Sequence, residues 1–115
     1  MKLIIAGGRD FSNYELLCEE VGRVIANFPQ VEIVSGGARG ADLLGEHYAI
    51  DNSIPVKRFP AEWDKYGKSA GFRRNSDMAQ YADHCICFWD GKSKGTGHMI
   101  DLAKKAGLRL VVVSY

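Results

Sequence analysis

Val31-Glu32-Ile33-Val34-Ser35-Gly36-Gly37-Ala38-Arg39-Gly40-Ala41-Asp42-Leu43-Leu44 carries the pattern on which the fold turns: a short apolar run, a glycine-rich turn, then a helix start. A short apolar run bounded by glycines reads as a buried strand. Residues 41–50 read as a helix, with Leu43, Leu44, His47 and Tyr48 on its inner face. The pattern repeats on either side. Residues 3–6 form an apolar run ended by Gly7-Gly8, and residues 84–89 form another ended by Asp90-Gly91. Between them, Ser12 or Asn13 caps a helix with Glu15 in its first turn. Leu16, Leu17, Val21, Val24 and Ile25 recur along it at helical spacing, and Pro29 stops it. Residues 56–59 make a weak third strand, and the polar, aromatic stretch 60–69 reads as a long functional loop. Helices follow over 72–81 and 96–106, the latter ended by Gly107 as a left-handed cap. Residues 110–113 are the last strand. The sum is βαβαβαβαβ. Such near-continuous apolar strands predict an α/β fold, a parallel sheet of about five strands with helices on both faces.

The chain has 115 residues, which sets the expectation of one domain over 1–115. A hydrophobic share of 46% and a charged share of 25% are those of an ordinary globular protein. Fifteen basic residues against fourteen acidic ones leave a net charge of +1, which argues against a surface built to coat nucleic acid or an anionic membrane. A local basic pocket is compatible with that balance. Cys18, Cys85 and Cys87 are odd in number and lack C-x-x-C spacing, so they read as reduced thiols of a cytoplasmic protein. Cys85 and Cys87 share one face of their strand, as core packing. The opening run is too short for a signal peptide, and no stretch is long enough for a membrane span. His47, His84 and His98 show no metal-ligand spacing. No cofactor is indicated, and Mg²⁺ would enter only alongside a polyphosphate.

In parallel sheets of this kind the ligand lies beyond the carboxyl ends of the strands. Three strand-to-helix loops reach that edge: Gly7-Gly8-Arg9-Asp10-Phe11, Ser35 to Asp42, and Asp90 to His98. Glycine lets a ligand approach the backbone, and a helix start favours an anion. In the third loop Thr96 offers a hydroxyl, Gly95 and Gly97 offer amides, and Lys92 or Lys94 adds charge. It is not a Walker A loop, and the second loop is not a G-x-G-x-x-G fingerprint. Arg9 and Arg39 suit phosphate or carboxylate. Arg9 has a competing role as a loop-stiffening partner of Asp10 or Asp42. The stretch from Glu62 to Asn75 mixes Trp63, Tyr66 and Phe72 with Arg73 and Arg74, a pattern that suits base stacking and phosphate contact. His98 reads as a general base or a polar contact.

These motifs resemble a known family. Val34-Ser35-Gly36-Gly37-Ala38-Arg39-Gly40-Ala41-Asp42 is similar to the SGxARGxD loop of the DNA-processing protein A Rossmann domain. Gly7-Gly8-Arg9-Asp10-Phe11, Ala70-Gly71-Phe72-Arg73-Arg74-Asn75 and Lys94-Gly95-Thr96-Gly97 resemble the YspA-like branch of the SLOG superfamily, a set of small bacterial and phage proteins. The resemblance implies a Rossmann-like fold that binds nucleotides or nucleotide-derived signals. It also brings in the Lonely Guy phosphoribohydrolases, whose phosphate loop reads PGGxGTxxE. Gly95-Thr96 match its GT, but Met99 stands in place of the glutamate and Asp90-Gly91 replaces Pro-Gly.

Three functions follow. The first is a module that senses or sequesters a nucleotide-derived ligand through Gly7, Gly8, Arg9, Asp10, Ser35, Gly36, Gly37, Arg39, Gly40, Asp42, Trp63, Arg73, Arg74, Asn75, Lys94, Gly95, Thr96 and Gly97. The second is an N-glycosidase that releases base from a nucleotide, with Arg73 or Arg74 orienting the substrate and Asp101, Glu62 or Asp64 as acid. The third is a DNA-binding module. The near-zero net charge and the absence of a partner domain count against it, and nucleic acid is not the expected partner. A homodimer or higher homo-oligomer is expected, with exposed Tyr, Trp and Phe side chains at its interface.

Overall fold

The computed structural model describes residues Met1–Tyr115. Five strands, β1 (Lys2–Gly7), β2 (Glu32–Ser35), β3 (Val56–Arg58), β4 (His84–Trp89) and β5 (Arg109–Ser114), form one parallel sheet in the order β3-β2-β1-β4-β5. The helices are α1 (Tyr14–Ile25), α2 (Ala41–Asp51), α3 (Trp63–Tyr66), α4 (Ala70–Tyr81) and α5 (Lys94–Lys105). This is the Rossmann-like α/β sheet that the strand pattern predicts. The chain moves outward from β1 through β2 to β3, then crosses back to lay β4 and β5 on the other side of β1. The strand order therefore reverses between β1 and β4, and a crevice opens beyond their carboxyl ends.

The apolar runs are continuous because both faces of the sheet are covered. Leu3 and Ile5 pack with Leu17 and Val21 of α1 and Tyr48 and Ala49 of α2. Ile4 and Ala6, pointing the other way, pack with Met78 and Ala79 of α4 and Met99, Ile100 and Ala103 of α5. Cys85 and Cys87 lie on that second face, buried, with their sulfurs 3.5 Å apart. Asn13 caps α1, its side-chain oxygen accepting from the Leu16 amide at 3.0 Å. Gly107, at φ +74°, ends α5 in the left-handed conformation. No helix is long and apolar enough to cross a membrane.

Three local readings change. The inner face of α2 is Ala41, Gly45, Tyr48 and Ala49, whereas Leu43 and His47 are exposed. The helix sits so close to β1 that a Cβ on Gly45 would stand 2.8 Å from Ile5 Cγ2, so a glycine fills the tightest contact, while Leu44 and Tyr48 pack on the same core as expected. The stretch 60–69 is not an irregular loop: it holds α3 and a 3₁₀ turn over Gly67–Ser69 that leads directly into α4. Finally, α5 begins at Lys94, with Ser93 as its cap, so Gly95, Thr96 and Gly97 belong to its first turn.

The contact between α2 and β1 sets a stability test. Gly45→Val forces a branched side chain into a space already filled by Ile5, and overpacking of this kind costs about 1–3 kcal/mol. Leu43→Ala, on the exposed face, should stay within about 0.5 kcal/mol of wild type. Urea unfolding of the two variants reads both values, and equal stabilities would contradict the packing described.

Candidate functional site

The crevice at the switch point is a cleft of about 700 Å³. Gly7, Gly8, Arg9 and Asp10 enter from the end of β1, and Ala38, Arg39 and Asp42 from the loop after β2. Arg74, Asn75 and Met78 come from α4, and Asp90, Ser93, Gly95, Thr96 and Met99 from the start of α5. A second chamber of about 570 Å³ continues from it. Arg9, Ala38, Arg39 and Arg74 line both, and Gly36, Gly37, Arg58, Pro60, Ala61 and Trp63 complete the second. The two form one open groove that runs from the α5 N-terminus to the exposed indole of Trp63.

The backbone of Gly8 ties the three loops together. Its amide donates to Phe88 O at 3.1 Å, and its carbonyl accepts from the Phe11 and Ala41 amides at 3.2 Å each. Gly40, at φ +83°, presses its α-carbon against the Gly8 carbonyl and Arg9, where a side chain would collide with backbone. Gly40 therefore packs the loops together, and it lines neither chamber.

The floor of the groove is a polar network. Asp42 is buried, and its carboxylate accepts from the Ala38 amide at 3.2 Å. Burial pushes its pKa up to about 6, outweighing the Ala38 hydrogen bond and the nearby guanidinium groups of Arg74 and Arg9. Arg74 donates from Nη1 to Gly36 O at 2.7 Å and from Nε to Asn75 Oδ1 at 2.9 Å. Burial lowers its pKa. Asn75 is buried and reaches Gly95 O and His98 Nδ1, so α4 and α5 are held at a fixed spacing across the cleft. Burial also lowers the His98 pKa, and Phe72 packs edge-on against its ring.

Arg9 and Arg39 are exposed and make no ion pair, so the pairing of Arg9 with Asp10 or Asp42 is not made. Asp10 instead accepts from the Tyr115 hydroxyl at 2.6 Å. At the first turn of α5, Asp90 accepts from the Lys92 and Ser93 amides, while the Lys94 and Gly95 amides have no acceptor within the chain. Thr96 lines the cleft with its hydroxyl 3.1 Å from Ser93 Oγ.

Several expected residues lie elsewhere. Ser35 is fully buried, donating to Glu46 Oε2 at 2.6 Å and accepting from the Gly37 amide, so it shapes the loop from below. Arg73 turns away from the groove, its guanidinium 4.3 Å from the centre of the Tyr66 ring and its Nε donating to Ser69. Asp101 is exposed and does not line the cleft, and neither does Lys94. Gly97 lies against the Trp89 indole with its amide bound to Ser93 O. Met99, standing where the phosphoribohydrolase glutamate would be, is buried at the cleft wall. Arg73, Arg74 and Asp101 are thus not assembled into one site. Glu62 and Asp64 are exposed beside Trp63, in a shallow depression that adjoins the second chamber through Ala61 and Trp63.

Arg58 and Glu46 were not singled out from the sequence. Arg58 grips Glu46 through two hydrogen bonds, Nη2 to Oε1 at 2.5 Å and Nε to Oε2 at 3.0 Å. Burial alone would raise the Glu46 carboxyl, but Arg58 and Ser35 together hold it below its ordinary value. Arg58 is the last residue of β3, so the rule that ligand contacts sit at strand ends points to it. No group of three or more His, Cys, Asp and Glu side chains comes together in a form that would hold a metal ion.

Fold and groove define the class: a Rossmann-like protein whose glycine-rich loops meet at the carboxyl edge of the sheet. The chain belongs to the YspA, cpYpsA-related SLOG family, whose model matches residues 1–66. That span holds the first two loops, Arg58 and Trp63, while the residues of α4 and α5 lie beyond it. The chain is 30% identical to the Gene 61 protein of Mycobacterium phage D29 over 117 residues, 96% of this chain and 94% of that one. Among solved structures it is similar to DNA processing protein A from Helicobacter pylori, with a TM-score of 0.75 and 20% identity over 97% of this chain. The match covers 64% of that protein's chain, and that structure is known for a single-stranded DNA binding mode. This overturns the expectation that nucleic acid is not a partner. A net charge near zero does not exclude nucleic acid when a protein of the same fold binds it, because charge summed over the chain says nothing about how arginines are distributed.

The elevated Asp42 pKa has a measurable consequence. Between about pH 4 and pH 6 the folded chain keeps a proton on Asp42 that the unfolded chain has released. Stability from this group therefore falls as pH rises through that window, by at most about 3 kcal/mol for a shift of about two pKa units. The stability difference between wild type and Asp42→Asn, from urea unfolding at a series of pH values, should change by that amount and then level off above pH 6. A difference independent of pH would contradict the burial described.

Proposed function

We propose that this groove binds single-stranded DNA, with phosphates on its arginines and a base against Trp63. One observation carries the reading: Arg9, Arg39, Arg58 and Arg74 line a single groove that ends at a half-exposed indole, and only Arg58 is ion-paired. Phosphate contacts position a strand, and stacking on an aromatic face holds a base whatever its identity. The single-stranded DNA binding mode of the structurally similar DNA processing protein A supports the same direction.

A second reading, a free nucleotide in the inner cleft, draws support from a different feature. The unclaimed Gly95 amide, at the α5 N-terminus on the cleft wall, favours one phosphate.

Fluorescence anisotropy with a labelled oligodeoxythymidine tests both. The two guanidinium groups free of the protein's own acceptors, Arg9 and Arg39, predict a log–log salt slope of about −1.4. Arg9→Ala and Arg39→Ala should each flatten it by about 0.7. Trp63→Ala should weaken binding by about 1–3 kcal/mol with the slope unchanged. A wild-type chain that ignores the oligonucleotide at low salt contradicts the first reading. A nucleoside monophosphate that competes at equal affinity favours the second.

A further inference from the structure

The two edges of the sheet are built differently. Strand β3 has three residues, Val56–Arg58, stands between Pro55 and Pro60, and carries Lys57 and Arg58. Short length, proline and cationic side chains are the devices that keep an edge from pairing with another chain. Strand β5 has neither the shortness nor the proline, and its one cation, Arg109, stands at its first residue. It runs six residues, Arg109–Ser114, and its centre, Leu110-Val111-Val112-Val113, is uncharged and β-branched or aliphatic throughout. Leu110 packs toward the α4–α5 side and Val113 toward the α1–α2 side. Val111 and Val112, one on each face, remain 39% and 42% exposed. A parallel-sheet strand with an apolar sequence on both faces is ordinarily covered on both.

We propose that β5 pairs with β5 of a second copy of this chain, antiparallel across a two-fold axis, to make one ten-stranded sheet. The strand is complementary to itself. A two-fold axis normal to the sheet keeps each face matched to the same face of the partner, so apolar side chains meet apolar ones. Centred on Val111 or Val112, the pairing sets Arg109, the only charge in the strand, opposite Val113 or Tyr115 and never opposite its own copy. Unpaired backbone groups along β5 gain partners, and the guarded edge at β3 stops growth at two copies. The two grooves then open at opposite ends of the shared sheet. This pairing is independent of what the grooves bind. It also uses a surface other than the aromatic cluster expected at an interface, since Trp63 lines the groove, Tyr66 lies beneath Arg73 and Phe72 packs on His98.

Sedimentation velocity from low to several hundred micromolar protein should show a reversible shift from the chain mass of 12.7 kDa to twice that value. Val111→Lys and Val112→Lys, at exposed positions, should stay at the monomer mass with unchanged circular dichroism. Hydrogen exchange of the wild-type chain gives a second readout that needs no variant: β5 amides should slow as concentration rises. A wild-type chain that is monomeric throughout overturns the proposal. So do lysine variants that dimerise like wild type, assembly beyond two copies, or β5 exchange that ignores concentration.

Discussion

Three loops meet at this groove because one peptide unit holds them. The Gly8 amide is bound to the end of β4 and its carbonyl to the start of α2, while Gly40 packs on it too closely for any side chain. Gly7 and Gly40 are thus explained by close approach to backbone before any ligand is considered, while a Cβ on Gly8, Gly36 or Gly37 would meet the side chains of Tyr115, Arg74 or Arg58. What this contact builds is a fixed rim on which Arg9 and Arg39 stand unpaired above a floor that is fully hydrogen-bonded. No buried side-chain polar atom lacks a partner, so the floor does not need a ligand to be stable.

The division of labour among the arginines follows from their surroundings. Arg58 is tied to Glu46, and Glu46 is tied to Ser35, so that chain of contacts fixes the end of β3 to the loop after β2. Arg74 is half-buried, with its donors committed to Gly36 and Asn75, and sets the height of the groove floor. Asp42 beneath it favours its neutral form through burial up to about pH 6 and is a carboxylate above that. Only the guanidinium groups of Arg9 and Arg39 are free of the protein's own acceptors. Charge available to a ligand is therefore concentrated on the outer lip, which a net charge of +1 does not reveal.

The order of elements was legible in the sequence because strands buried on both faces must be apolar throughout, and because glycine or proline punctuates nearly every boundary. The carboxyl-edge rule then named the loops that meet at the groove. Legibility ended where tertiary packing overrides pattern. Leu43 and His47 read as part of the inner face of α2, but close approach to β1 gives that face to Gly45 and Ala49 and leaves both exposed. Adjacent Arg73 and Arg74 are equivalent in composition, yet a helix separates neighbours by about 100°, so one enters the groove and the other lies over Tyr66. Ser35 sits in a glycine loop like a ligand contact, but its strand position turns it into the core. The pairing of Arg58 with Glu46 joins residues from β3 and α2 that no local pattern connects.

The central claim is that the groove between the ends of β1 and β4 is where a ligand sits. Hydrogen exchange of the chain with and without saturating oligodeoxythymidine tests it most directly. The account predicts slower exchange confined to residues 7–10, 36–42 and 93–97, with residues 28–31 and 52–55 at the opposite end of the sheet unchanged. Protection at that opposite end, with none in the three loops, would contradict it.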